Sequence, residues 1–515
     1  MLMDGLLHRA LVQPDATAVR YRGHELGYLQ LVRRGHAFAR LLRAQGVQTG
    51  DRIAVVAPKG LAPLVALIGI SLVGGVFVPC EPSMPPERLA RILRDCEPKG
   101  LASTASIIDR VHQVDPPLIR ELACLVVEGS CSLPNAIEYD YDSTRDGCAG
   151  PNVADDNPAY ILYTSGTTGE PKGVVHSHLS ATSFVNWAIR ALHLDAGSIV
   201  ANHAQWSFDL SVFDLWAALS CGARVELVPP EFSLRPKEFV QSLRSWHVTH
   251  LYSVPSMIGI LESDGSLSPQ GLPELRHLLY AGEPFAVPRL RAVMQCLPNA
   301  NVFNLFGPTE TNVCLYHKLT GLPDANTHQV PIGRPCEHLT VELLDENGRP
   351  TAPSCEGEVC VAGPSVLTEY FRRPEETHRS FLAAERFDDH RRRYRTGDRA
   401  LVDEHGLYWF RGRKDRLVKR RGFRIELGEI EAVLSSEPNV KEAAAYAVRR
   451  AHETRIHVAA VLHAGRAASP LTLRAHCGRL LPAYMVPDAI ELMPELPRTV
   501  NGKVDLQRLS DTSAV

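Results

Sequence analysis

Between Tyr163 and Gly173 the chain reads YTSGTTGEPKG: three glycines (Gly166, Gly169, Gly173), four hydroxyl residues (Thr164, Ser165, Thr167, Thr168) and one lysine, Lys172. Glycine at that density argues against a core helix or strand and for a loop whose backbone approaches a ligand closely. Hydroxyls, backbone N–H groups and the Lys172 ammonium converging there would suit an anion, most often phosphate. A polar surface loop has the same composition, and the stretch alone does not separate the two. It is not a Walker loop, because Pro171 precedes Lys172 and Gly173 follows it. No G-x-S-x-G elbow occurs, which argues against an α/β-hydrolase. His452, Glu453 and His457 come near a zinc signature, but histidines five apart would not share one helix face. A solvated loop and strand start is the expectation there.

Around that loop lie 515 residues, 45% hydrophobic and 22% charged, a globular balance that predicts two or three domains. A formal charge of −3 gives no basic field for nucleic acid. The basic cluster RRRYR at 391–395 is expected to be a solvated face. Twelve cysteines form no C-x-x-C pair, and the nearest approach, Cys355 and Cys360, has no histidine at metal spacing, so a reducing cytosol is expected. The start, MLMDGLLHRALVQPDATAV, carries Asp4 and no basic segment, unlike a signal peptide. LVALIGISLVGGVFV at 64–78 is too short to cross a bilayer and is broken by Gly74 and Gly75. It predicts a buried helix, a turn and a strand, and no membrane role.

The elements that must hold the loop follow from alternating periods. Leu31, Phe38 and Leu42 recur at helical spacing, Gly46 stops that helix, and RIAVVA at 52–57 reads as a buried strand. A helix over 61–72, the strand VFVP and a helix over 86–96 continue an α/β alternation with parallel strands. From Ser103 to about Asn157 the chain turns polar and proline-bearing and is expected to be an irregular surface excursion. Beyond FRGRKDR the helix GEIEAVLSS, the strands EAAAYAVRR and RIHVAAVLH and the helix PLTLRAHCGRLLP predict a compact α+β unit.

The stretches YILYTSGTTGEPKGVVHSH, NLFGPTET, GEVCVAGPSVLTEYF, YRTGD, GRKDRLVKRRGFRIELGEIE and LPRTVNGKVD stand in the order seen in the adenylate-forming enzymes. The chain resembles that superfamily and, within it, the free-standing amino-acid adenylation domains of nonribosomal peptide synthesis. Six ordered motifs make the resemblance specific, although each alone is weak. One departure is Glu170, where the family often carries lysine or arginine; Lys172 is intact. The resemblance implies an α/β fold with a large multi-layered core over 1–414 and a small, mobile α+β domain over 415–515.

It also implies roles. Thr164, Ser165, Gly166, Thr167, Thr168, Gly169 and Lys172 would close over the triphosphate of ATP, with donors where charge spreads over departing oxygens. Thr309 and Glu310 would stand at the α-phosphate, Glu310 as the Mg²⁺ ligand, since that ion takes hard oxygen donors. Phe306 would stack on adenine, Asp398 would accept the ribose hydroxyls, and Arg413 would reach the nucleotide. Lys503, after the turn pair Asn501 and Gly502, matches the catalytic lysine. Asp415 matches the hinge, and Gly422 the glycine that lets pantetheine pass.

Asp209 in QWSFDLSVFDLW holds the position whose carboxylate pairs with an amino-acid ammonium. The rest of the pocket would be Leu210, Phe213, Tyr252, Leu279, Ala281, Leu305, Val313 and Cys314. An apolar lining cannot satisfy a polar substituent, so a small hydrocarbon side chain is implied. The combination is similar to free-standing prolyl-adenylating enzymes that load L-proline on a carrier protein for pyrrole formation. After Lys503 only twelve residues remain, so the holo carrier is expected in trans, and the enzyme is expected to be a monomer. Valine or alanine with the same chemistry, or an acyl-CoA ligase, are the alternatives.

Overall fold

Parallel strands feeding helices build most of the chain, as the α/β alternation requires. The computed structural model describes residues 1–128, 133, 136–144, 153–166, 170–268, 270–352, 354–387, 389–450, 453–498 and 504–512. Among them, contacts group into two units. The larger comprises Met1–Pro82, Leu93–Tyr163 and Gly173–Lys414, and the smaller Ser83–Ile92, Thr164–Lys172 and Asp415–Val515.

In the larger unit, a nine-stranded sheet runs in the order Arg334–Pro335, Leu315–Leu319, Asn301–Phe306, His277–Tyr280, His250–Ser253, Ile199–Asn202, Arg224–Leu227, Thr17–Tyr21 and His24–Gly27. Its centre is parallel and its margins antiparallel. An eight-stranded sheet is centred on Val76–Pro79 and Arg52–Val56. An antiparallel five-stranded sheet holds Thr340–Leu344, Gly357–Ala362, Arg393–Val402, Phe381–Leu382 and Tyr408–Arg413. The helices Tyr28–Ala44, Leu61–Leu72 and Pro86–Cys96 lie where periodicity predicts them. Leu31, Phe38 and Leu42 are buried, and Gly46 leaves the first of these helices at φ +76°. No helix among the described residues is long and apolar enough to cross a membrane.

Two expectations fail here. The span from Ser103 is not an irregular excursion as far as Glu138: Gly100–Thr104, Cys124–Glu128 and Ala136–Glu138 extend the eight-stranded sheet, with helices Ala105–Val114 and Pro116–Glu121 between the first two, whereas 139–144 and 153–157 form no helix or strand and 145–152 lie outside the described residues. Ile107, Ile108 and Val111 already had helical spacing, but the elements are so short that the flanking prolines dominate the pattern. RRRYR is a solvated face only in part: Arg391 and Arg392 are exposed, but the rest of the cluster is not. Arg393 is only 3% exposed, held by Glu342 at 2.5 Å and Asp389 at 2.9 Å, while Arg395 meets Glu358 at 2.8 Å. A buried guanidinium requires such partners, and all of them but Asp389 lie far outside the local sequence window.

The smaller unit packs the helices Leu427–Ser435 and Pro470–Leu480 with the strands Val440–Arg450, Glu453–Leu462 and Ala489–Leu492 around Ile430, Leu434, Ile456 and Leu473. Glu453 and His457 sit on one of these strands, and His452 lies outside the described residues. Strands Leu417–Arg420 and Phe423–Glu426 form a hairpin. Its two turn residues, Arg421 and Gly422, have φ +52° and +79°. Positive φ at both central positions is the type I′ signature, so the turn itself favours glycine at 422.

Candidate functional site

Period two along the nine-stranded sheet brings the expected lining residues together. Tyr252 lies opposite Leu279, and Leu279 opposite Phe303, so these side chains share one face, with Leu305 two residues on from Phe303. Tyr252, Leu279, Ala281, Leu305, Phe213, Val313 and Cys314 are buried in one cluster, and Leu210 packs against it half-buried. Phe213 and Tyr252 meet edge to face, with centroids 5.6 Å apart at 90°. The strands' alternate residues, Leu251, Leu278, Tyr280 and Val302, enter a separate cluster on the other face.

Asp209 is half-buried just before a π-helical turn, Val212–Ala217, that carries Phe213. Such turns are rare and concentrate at functional sites. The Asp209 backbone carbonyl accepts from Val212 N–H at 2.9 Å. Burial first, and then the Asp209 charge, push the Tyr252 phenol well above its ordinary range; burial and the same charge raise Tyr160. Asp209 therefore stands beside an apolar, aromatic wall, with the buried Asp214 also acting on Tyr252.

A hairpin positions the polar part of the site. Strands Asn301–Phe306 and Leu315–Leu319 pair with Phe306 opposite Leu315, and Cys314 N–H donates to the Phe306 carbonyl at 2.8 Å. The connecting residues thus carry Thr309 and Glu310 as well as Val313 and Cys314. Glu310 is fully buried; its Oε1 accepts from the Tyr370 hydroxyl at 2.7 Å, and that hydroxyl lies 3.0 Å from Tyr394 Oη. The Thr309 carbonyl accepts from His176 Nε2 at 2.8 Å. Burial pushes His176 down to about 4, so the ring is neutral and its Nε2 carries the hydrogen. Phe306 meets Phe410 at 5.9 Å.

Asp398 and Arg413 are cross-strand neighbours in the five-stranded sheet, and their ion pair spans 2.6 Å. Arg413 also donates to the Thr396 carbonyl at 3.0 Å. Asp398 is 1% exposed, and its Oδ2 has no hydrogen-bond partner. An orphaned buried carboxylate oxygen suits a hydroxyl donor such as a ribose. The other oxygen, Oδ1, is already taken by Arg413.

In the smaller unit, the Ser165 hydroxyl donates to the Arg424 carbonyl at 2.8 Å and accepts from Glu426 N–H at 3.2 Å. Ser165 is therefore engaged by the Phe423–Glu426 strand in this conformation. Thr164 Oγ1 is buried without a partner, and Lys172 is buried at the start of its strand. A Cβ on Gly166 would run into the Glu170 carbonyl, which explains the glycine. Asp415 Oδ1 accepts from Leu417 N–H at 3.4 Å. Thr167, Thr168, Gly169 and Lys503 lie outside the described residues.

Comparison with known proteins decides what this arrangement is. Residues 6–371 match the model of the AMP-binding enzyme family, and 429–503 match the AMP-binding enzyme C-terminal domain. The chain belongs to the AMP-binding enzyme family. As a member it is an ATP-dependent, AMP-forming ligase. It is 36% identical over 496 residues to an L-proline--[L-prolyl-carrier protein] ligase of Streptomyces coelicolor, covering 94% of this chain and 91% of the relative. A ligase of the same description from Pseudomonas fluorescens is 35% identical, with 98% of each chain covered. A solved NRPS protein containing adenylation and PCP domains, bound to a vinylsulfonamide inhibitor, superposes with TM-score 0.81 at 26% identity, over 99% of this chain and 83% of that one.

His176, Tyr370 and Tyr394, which sequence reasoning did not assign, hold the segment that carries Thr309 and Glu310. Both tyrosines stand inside stretches already singled out, LTEYF and YRTGD. The chain of hydroxyls from Tyr394 through Tyr370 to Glu310 is a tertiary fact with no local signal.

Proposed function

We propose that this enzyme activates L-proline as prolyl-AMP and passes the prolyl group to the phosphopantetheine thiol of a separate carrier protein. The observation that carries the reading is the apolar cluster of Phe213, Tyr252, Leu279, Leu305 and Cys314 beside the half-buried carboxylate Asp209. An ammonium pairs with that carboxylate and a compact hydrocarbon ring fills the remainder. Relatives described as proline–carrier ligases over nearly the full length support the choice.

In the first step a carboxylate oxygen of proline attacks the α-phosphorus of ATP and pyrophosphate leaves. In the second the thiol sulfur attacks the prolyl carbonyl carbon, AMP leaves, and the thiol proton goes to solvent. Asp209 orients the amino acid, Asp398 receives the ribose, and Phe306 faces the base. Lys172 and Lys503, with Thr164 to Thr168, stabilise charge as pyrophosphate departs. Among the described residues no three acid, histidine or cysteine side chains converge to hold a metal by themselves. Glu310, buried and steadied by Tyr370, fits the one-carboxylate pattern in which Mg²⁺ is completed by substrate phosphates. When bound, that ion would neutralise phosphate charge.

Our reading also takes residues 415–515 as a domain that reorients about Asp415 between the two steps, in a cytoplasmic monomer that feeds pyrrole-containing secondary metabolites. It includes no nucleic-acid or membrane partner. Pyrophosphate exchange measured against the twenty amino acids tests the substrate. Proline should dominate; a leading signal from a charged or large aromatic amino acid would overturn the pocket assignment.

A further inference from the structure

A buried network outside the expected site ties down the segment that carries Asp209. Lys59 lies between the strand Arg52–Val56 and the helix Leu61–Leu72. Its ammonium donates to the carbonyls of Asn202 at 2.8 Å, His203 at 3.0 Å and Ala204 at 2.9 Å. All three donors of the ammonium are thereby used on consecutive residues. Asn202 ends the strand Ile199–Asn202 and is fully buried. Its side-chain oxygen accepts from Trp206 Nε1 at 2.8 Å, and its amide donates to Asp214 Oδ2 at 2.9 Å. Asp214, also fully buried, sits in the π-helical turn next to Phe213. Both ends of the segment 204–214 are therefore fastened to one point, and Asp209 lies within it.

We propose that Lys59, acting through Asn202 and Asp214, is a positioning residue that holds Asp209 and Phe213 in register with the amino-acid substrate. The proposal rests on the pocket reading above. The Asn202 carbonyl also accepts from Val228 N–H at 3.1 Å and the Ala204 carbonyl from the Asn202 amide at 3.2 Å, and the Lys59 ammonium ties these two and the His203 carbonyl to one point. The Asp214 carboxylate is stabilised by the Asn202 amide, by the neighbouring Lys59 charge and by the Ala204 backbone N–H. Burial pushes the Lys59 ammonium down and the Asp214 carboxyl up, and each is pulled back by the other's charge, with Glu81 also favouring charged Lys59. Burial and Lys59 push His203 down to about 3, leaving that ring neutral. Small displacements of a binding group are costly to the reaction even when the change lies away from it.

Lys59→Met in the full chain, assayed by pyrophosphate exchange, separates the possibilities. The KM for the amino acid should rise about tenfold while the KM for ATP stays within about twofold, and Lys59→Arg should recover part of the loss. An unchanged amino-acid KM, or equal rises for amino acid and ATP, would overturn the proposal and make Lys59 a general structural lysine. Should Lys59→Met fail to fold, Trp206→Phe removes one bond of the network while keeping an aromatic ring at this position. A several-fold rise confined to the amino-acid KM supports the proposal, and no change overturns it. The wild-type screen identifies which amino acid is used for these measurements. A substrate other than proline thus sinks the proline reading without touching the network, whereas a missing split sinks the network alone.

Discussion

The strands His250–Ser253, His277–Tyr280 and Asn301–Phe306 are apolar on both faces, yet the faces serve different ends. One sends Tyr252, Leu279 and Leu305 into the cluster beside Asp209. The other sends Leu251, Leu278 and Val302 into a cluster with Ile258 and Leu290, which belong to the helices Pro255–Ser263 and Val287–Cys296. Burial does not tell them apart: Leu278 is 1% exposed and Leu279 0%. What distinguishes the pocket face is a neighbouring carboxylate and a break in helix regularity at Val212–Ala217. Apolar residues become a binding wall when a charged anchor stands next to them.

The sharpest way to break that comparison is to remove the anchor. Asp209→Ala leaves the ammonium unpaired in an apolar pocket, a loss of about 3 to 5 kcal/mol. Proline-dependent exchange should fall by at least about a hundredfold in kcat/KM while nucleotide binding, followed by isothermal titration, persists. Near-normal exchange would mean the two faces do not differ in the way described.

Next in size is a paired truncation across the same strand. Leu278→Ala should lower unfolding stability by about 3 kcal/mol and leave the order of accepted amino acids as it was. Leu279→Ala should cost a similar amount of stability and also reorder the substrates, because the space it vacates opens on the pocket. Identical substrate rankings in the two variants would remove the functional distinction between the faces.

How much of this was legible beforehand depends on period. Helices such as Tyr28–Ala44 were readable because one face is apolar and the other wet, and the strand Arg52–Val56 because it is a short apolar run. HLYS, HLLY and NVFNLF are buried on both sides, so no alternation survives to say which residues face the substrate. Only the family pattern assigned Tyr252, Leu279 and Leu305. Arg393 and Lys59 were illegible for a different reason. Each is a cation with partners far away in sequence, Glu342 for the first and Asn202 to Ala204 for the second. A local window sees only a charge and assigns it to solvent. The grouping of Ser83–Ile92 and Thr164–Lys172 with the smaller unit likewise leaves no trace in composition.

Phe213→Ala sharpens the comparison from within the pocket. The ring is fully buried against Tyr252, so truncation opens a cavity that bulkier apolar amino acids can enter. Discrimination between proline and leucine or phenylalanine should shift by about 1 to 3 kcal/mol toward the larger substrates. An unchanged ranking in the exchange screen would place Phe213 in the core alone.

The smallest expected effect concerns the far end of the pocket face. There His250 stacks on His277 at 4.6 Å, and His250 Nε2 donates to the Leu192 carbonyl at 3.2 Å. Burial, reinforced by the neighbouring His277, pushes His250 down to about 3 from its ordinary 6.5. Between those values the unfolded chain binds a proton that the folded chain does not, so stability rises with pH through this window. His250 therefore opposes no folding above about pH 6.5 and costs progressively more as pH falls below it. Lowering the pH from 7.0 to 5.5 should remove about 1 kcal/mol through this residue. His250→Gln, which cannot titrate, should shrink the loss of unfolding free energy in urea between those two pH values by that amount, with substrate ranking unaltered. The other buried histidines, His176 and His277 among them, keep a residual slope. If the variant and the parent lose stability in parallel, His250 is not neutral in the folded state, and the pocket face carries a charge at this end as well as at Asp209.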